Sequence, residues 1–212
     1  MIYRTCLFTG VIGGVAASAF FATRAELTIP LWIATAALTI CVSLLLAIAT
    51  KVLLGYETFS FLHYQIAAIA TVAIVVPIRG ALDLLALALA ITQSVGRIGC
   101  AGAGCCRGRR WRYGIFPVQI LESALLAVIA IITATLIGRT GAAFAFYASA
   151  YAAVRFGLEM LRGDSRRHLF SLSEAQWICL GFALWQHNWI LAAAMVACGA
   201  AIVIRGRAEA AR

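Results

Sequence analysis

The sequence predicts an all-α integral membrane protein with about seven transmembrane helices, forming a single transmembrane helical domain over residues 1–212. Three observations carry this expectation. Of the 212 residues, 64% are hydrophobic and 12% are charged, about half the charged share of a soluble domain. The apolar runs reach the roughly twenty residues needed to cross a ~30 Å hydrocarbon core. The runs are continuous rather than alternating, so helices are favoured over a closed barrel as the way to satisfy every backbone polar group inside lipid.

The spans follow in order. The first runs from Cys6 to Ala22 and is rich in Gly and Ala, and the second from Leu27 to Thr50. The third runs from Phe59 to Ile78 and carries His63 near its start. The fourth, Leu82 to Ser94, is short. Val118 to Ile137 and Ala142 to Leu161 supply the fifth and sixth. The last, Trp177 to Ile204, is long enough to tilt, and the polar pair His187-Asn188 inside it marks a possible break that would raise the count to eight. Trp32, Trp177, Trp185 and Trp189 are candidate interfacial anchors. No soluble domain, internal repeat or signal-peptide cleavage site is expected.

The net charge is +9, from 16 Arg and one Lys against eight acids. Arg stays ionised and offers a planar fork that matches phosphate oxygens. Topogenic charge explains part of the excess. Arg97, Arg107, Arg109, Arg110 and Arg112, crowded into 16 residues expected to form a loop, point instead to phosphate binding. Nothing in the pattern calls for nucleic acid.

Cys6, Cys41, Cys179 and Cys198 lie in apolar runs and read as small hydrophobes. Cys100, Cys105 and Cys106 fall in a stretch with five glycines, Gly96 to Arg109, where the backbone can take positive φ and approach a ligand closely. Neighbouring arginines favour thiolate. Three readings stand: a structural role in a tight loop, a nucleophilic or substrate-contacting thiol, and a metal site that only His63 or His168 would complete. Tyr151, Arg155, Glu159 and Arg162 are spaced i, i+4, i+8, i+11 and fall on one narrow helical stripe. Arg155 and Glu159 can pair along it. Ionisable groups in a span are costly, so the stripe reads as functional against a self-satisfied structural pair. His63 is either a hydrogen-bonded structural group or a base.

From about Tyr56 to Leu180 these residues resemble the prolipoprotein diacylglyceryl transferase family. Gly96-Arg97-Ile98-Gly99 resembles the start of the family signature, with Gly104, Gly108 and Arg109 at matching later positions and Asp83 ahead of it. Phe116 to Glu122 resembles the Pro-x-Gln-Leu-Tyr-Glu segment. Tyr151 to Arg162, followed by Asp164, resembles the Tyr-x3-Arg-Phe-x2-Glu-x2-Arg helix. Ser173-Glu174-Ala175-Gln176 resembles the Ser-x-x-Gln that opens the last span, and His63 falls at the family's His-Gly-Gly. This chain departs from the pattern at Cys100 and Ala103, where the family has Asn, and at Cys105, where it has an acid. It departs also at Tyr64, Gln65 and Leu121, and it is shorter than typical members.

The resemblance implies transfer of a diacylglyceryl group from phosphatidylglycerol to a thiol, the cysteine of an acceptor protein or another thiol substrate, within the bacterial cytoplasmic (inner) membrane. It implies His63, Arg97, Arg155 and Glu159 as catalytic residues: His63 as base, the arginines as phosphate anchors, Glu159 orienting Arg155. Tyr151, Arg162, Gly99, Cys100, Gly104, Cys105, Gly108, Arg109, Gln119 and Glu122 are implied to contact substrate. No cofactor or metal is implied. The N-terminus is expected outside and the C-terminus in the cytoplasm, which places more arginines outside than the positive-inside rule allows. Two other readings remain: a lipid-binding or transport protein on this scaffold, and a membrane enzyme using Cys105 and Cys106 for thiol chemistry.

Overall fold

A computed structural model describes residues 2–55, 61–106, 108, 110, 111, 114–162, 168, 169, 172–186 and 188–210. Eight helices are present among them: α1 (Ile2–Phe20), α2 (Ile29–Leu54), α3 (Phe61–Val75), α4 (Arg79–Ala103), α5 (Val118–Leu136), α6 (Ala142–Met160), α7 (Glu174–Trp185) and α8 (Trp189–Ala210). Two two-residue hairpins, β1 (Arg110–Trp111) with β2 (Gly114–Ile115) and β3 (His168–Leu169) with β4 (Leu172–Ser173), follow α4 and α6. Four helices, α1, α2, α4 and α5, are long and apolar enough to cross a bilayer.

Helix α4 is the hub, packed against α1, α3, α5 and α6. It lies antiparallel to α1 because small residues let the two backbones meet: a Cβ on Gly14 would sit 2.5 Å from the Ala88 carbonyl oxygen, and one on Gly99 would sit 2.8 Å from Cys6 Cβ. Ser94 and Ser123 exchange hydroxyl-to-carbonyl hydrogen bonds of 2.9 and 2.8 Å, fixing α4 to α5. At the other end Asp83 accepts from the Gly141 and Phe144 amides, both at 2.8 Å. A carboxylate from α4 thus satisfies the first turn of α6, where the helix dipole favours negative charge. The main core cluster fills the space between, with Leu84, Leu126, Val72 and Tyr147 buried.

The structure corrects four expectations. Helix α4 continues to Ala103, so Arg97, Gly99 and Cys100 stand on a helix and not in a loop. Its glycines do not break it because they serve the close contact with α1, and Gly104, at φ 69°, ends it. The expected last span is two helices: α7 stops at Trp185, and α8 runs back along it, since Gly199 of α8 meets Leu172 while Ala192 and Met195 pack with Cys179 and Ala183. The start of α1 and the end of α8 therefore lie at the end of the bundle that holds Arg97, where seven alternating spans would have put them at opposite ends. Trp32 is 1% exposed and donates from Nε1 to Ser18 Oγ at 2.9 Å, so it is a core residue and not an interfacial anchor.

Candidate functional site

One end of the bundle gathers the C-termini of α4 and α6 and the N-termini of α5 and α7. Four of these helix ends deliver ionisable or capping side chains. Arg97 sits near the end of α4, Glu122 in the first turns of α5, and Arg155 and Glu159 near the end of α6, with Arg162 just beyond. Helix α7 opens with a capping box: Ser173 Oγ accepts from the Gln176 amide at 3.3 Å, and Gln176 Oε1 accepts from the Ser173 amide at 2.9 Å. The Ser-x-x-Gln signal is thus the physical start of that helix.

Glu122 is 1% exposed and faces three guanidinium groups. Its Oε1 is 2.9 Å from Arg97 Nη2 and 3.8 Å from Arg155 Nη1, and its Oε2 accepts from Arg162 Nη2 at 3.3 Å. Glu159 Oε2 lies 2.9 Å from Arg155 Nη2, one turn away, and 3.8 Å from Arg162 Nε. Three arginines against two glutamates leave one net positive charge in a buried cluster. Such a charge is expensive in a low-dielectric site unless a counter-ion joins it.

A pocket opens beside the cluster, lined by Tyr3 and Leu7 of α1, Gln93, Gly96, Arg97 and Cys100 of α4, Glu122 of α5 and Tyr151 of α6. Gln93 is 4% exposed, yet neither its amide nitrogen nor its oxygen has a hydrogen-bond partner among the described residues. Arg155 Nη1 is likewise buried without a hydrogen-bond acceptor. Buried polar groups of this kind are normally satisfied, so the Gln93 amide in the pocket wall is ready for a ligand, with Arg155 in the ion-pair cluster beside it. Tyr151 stacks on Tyr147 with ring centroids 5.8 Å apart, and Tyr147 Oη accepts from Gln65 Nε2 at 2.8 Å.

Of the residues singled out in the sequence, Arg97, Glu122, Tyr151, Arg155, Glu159, Arg162 and Cys100 come together here. Cys105 stands at the rim; its carbonyl accepts from Gln119 Nε2 at 2.7 Å, so Gln119 fastens the loop after α4. Gly99 faces α1, Gly104 caps α4, and Gly108 bridges to Arg162 with Phe116 close behind it. These glycines shape the backbone around the pocket. His63 is not among the pocket-lining residues: its Nε2 is 3.2 Å from Glu174 Oε1 at the start of α7, at the same end of the bundle. Arg109, Arg107, Arg112, Asp164 and His187 lie outside the described residues. Sequence reasoning missed Gln93 and Tyr3. Gln93 had a signal, an amide inside an apolar helix one turn before Arg97. Tyr3 had none, because its place depends on how α1 packs.

The phosphatidylglycerol–prolipoprotein diacylglyceryl transferase of Clostridium tetani (strain Massachusetts / E88) is 33% identical to this chain over 118 residues, covering 47% of this chain and 47% of that relative. The match thus spans about half the relative's length. No solved structure matches the chain. A family model for prolipoprotein diacylglyceryl transferase matches residues 60–202, which hold every arginine and glutamate of the buried cluster. On the extent of that match, the chain belongs to the prolipoprotein diacylglyceryl transferase family.

Proposed function

We propose that this protein transfers the diacylglyceryl group of phosphatidylglycerol to a thiol, in the family's manner the cysteine of an acceptor protein, from within the bacterial cytoplasmic membrane. The observation that carries the reading is the buried cluster of net positive charge beside a pocket with unpartnered polar groups. A phosphodiester carries one negative charge and suits that cluster. Arg97 and Arg155 hold its oxygens, Glu122 and Glu159 fix both guanidinium groups in place, and Arg162 backs them. Tyr151 and Gln93 meet the headgroup.

The acceptor thiolate attacks the glyceryl carbon that bears the phosphate, an S–C bond forms as the C–O bond breaks, and glycerol phosphate leaves with the electron pair. The arginines stabilise the charge that grows on the departing oxygen. His63, held by Glu174 and about one-third exposed, is the proposed base for the thiol proton. The test is a transfer assay with the purified protein in vesicles of phosphatidylglycerol and a cysteine-bearing acceptor peptide, read by mass spectrometry. A thioether-linked diacylglyceryl adduct on the peptide is expected. Lipid binding without any adduct would mark a non-enzymatic lipid-binding protein.

A further inference from the structure

We propose that Cys100, Cys105 and Cys106 hold a zinc ion, with a fourth coordination position open toward the headgroup pocket. The three sulfurs lie within 4.8 Å of one another, and none of the three cysteines is in a disulfide. Six residues along a continued helix would separate Cys100 and Cys106 by about 9 Å in rise alone. The chain brings them together by ending α4 with Gly104 at φ 69° and returning the Cys105 amide to the Cys100 carbonyl at 3.2 Å. Cys106 then takes φ 56°. A non-glycine residue in that region is uncommon and strained, and such strain concentrates at functional sites. Gln119 pins the loop at Cys105, and the Gly108–Arg162 bridge pins it farther on.

The donor set selects the metal. Thiolates favour soft or borderline cations. Zinc–sulfur bonds of about 2.3 Å put tetrahedral sulfurs about 3.8 Å apart, so the three side chains need close by only about 1 Å. Iron–sulfur clusters take four cysteines, and among the described residues no fourth His, Cys, Asp or Glu joins this group. Three protein ligands with one open position is the zinc arrangement that admits an exogenous ligand. Three thiolates on Zn2+ leave one negative charge, on the edge of the pocket that Cys100 and Arg97 line together.

Cys100 lines the same pocket as Arg97 and Tyr151, so the cysteine cluster borders the proposed phosphate site. An acceptor thiol coordinated there is bound as thiolate, its proton passing to the base proposed above. It then forms the S–C bond as the C–O bond to phosphate breaks, and zinc keeps its oxidation state. This last use of the metal rests on the transferase reading; the zinc site does not.

The test uses the full chain purified in detergent without chelator. Plasma mass spectrometry should find about one zinc per chain, and Cys100→Ser, Cys105→Ser and Cys106→Ser should each lower zinc content at least tenfold, while Cys198→Ser, in α8, retains it. Cobalt-substituted wild type should show the thiolate-to-cobalt charge-transfer band and the visible spectrum of a tetrahedral site, a readout that does not depend on the variants folding. A cysteine peptide should shift that spectrum, and its serine counterpart should not. Absence of zinc and of the cobalt spectrum, iron or copper in its place, or a disulfide among the three cysteines in protein prepared under reductant would overturn the proposal. An unshifted spectrum with the cysteine peptide would overturn the open position. Zinc and the peptide shift retained with no transfer to any thiol would sink the transferase reading and leave the site standing.

Discussion

A single carboxylate, Glu122, stands between Arg97, Arg155 and Arg162 with almost no exposure to solvent. The consequence is an asymmetry between variants. Arg97→Ala and Arg155→Ala each bring the cluster from one net positive charge to neutrality, so both proteins should insert and fold. Each loses a phosphate donor, and transfer from phosphatidylglycerol should fall at least about a thousandfold, ~4 kcal/mol of transition-state stabilisation. Activity within a few-fold of wild type in either would remove the anchor role. Glu122→Ala does the opposite and leaves three guanidinium groups against Glu159 alone. Breaking a buried pair this way costs about 3–5 kcal/mol, so this variant should show a clearly lower Tm in detergent or fail to accumulate. An unchanged Tm would show that Glu122 does not hold the cluster together.

At the scale of elements, the α1–α4 contact depends on glycines on one face of α1. A Cβ on Gly14 meets the Ala88 carbonyl at 2.5 Å, whereas one on Gly13 meets nothing within 4 Å. Gly14→Ala should therefore destabilise by about 1–3 kcal/mol, the range for overpacking. Gly13→Ala should be neutral or stabilising, since Ala is the better helix residue. Thermal unfolding of the two variants side by side checks this, and equal Tm values would mean the two helices do not meet as described. The same contact explains what the sequence made legible. The Tyr151–Arg155–Glu159–Arg162 stripe was readable because helical spacing alone places those residues together. Glu122 was marked by its motif, but its position between three arginines was not readable, since those pairs join residues 25 to 40 positions apart. The Gly96–Gly104 stretch suggested a loop because glycine is a poor helix former in water. In the bundle its glycines are where α1 comes closest, and the helix survives.

The eight helices among the described residues alternate in direction, and this puts the start of α1 and the end of α8 at one end of the bundle. Helix α1 starts at the site end, where Tyr3 meets Gly99, and α8 returns to that end, where Gly199 meets Leu172. Residues between them cross back and forth: Ala25 meets Gly80 at the far end, and Asp83 meets Gly141 there too. Seven spans were expected because Trp177 to Ile204 is nearly continuous in hydropathy; the turn at Gln186–Asn188 is carried by Asn188, whose side chain accepts from the Leu191 amide at 3.1 Å and starts α8. Arg24, Arg79 and Arg139 sit in the turns of the far end, as Gly138 beside Arg24 and Gly141 beside Arg79 indicate. Arg97, Arg155 and Arg162 at the site end are buried in ion pairs and do not act as loop charges. Arg4, Lys51, Arg110, Arg205 and Arg207 also stand at the site end, so the positive-inside count does not place that end outside; what the fold predicts is that both termini share one face. Reporters fused separately at the N- and C-termini should therefore read as on one face: alkaline phosphatase active at both, or green fluorescent protein fluorescent at both. A C-terminal fusion that fluoresces in the cytoplasm while the N-terminal one is external would mean that α7 and α8 do not form a hairpin but cross the bilayer as one span.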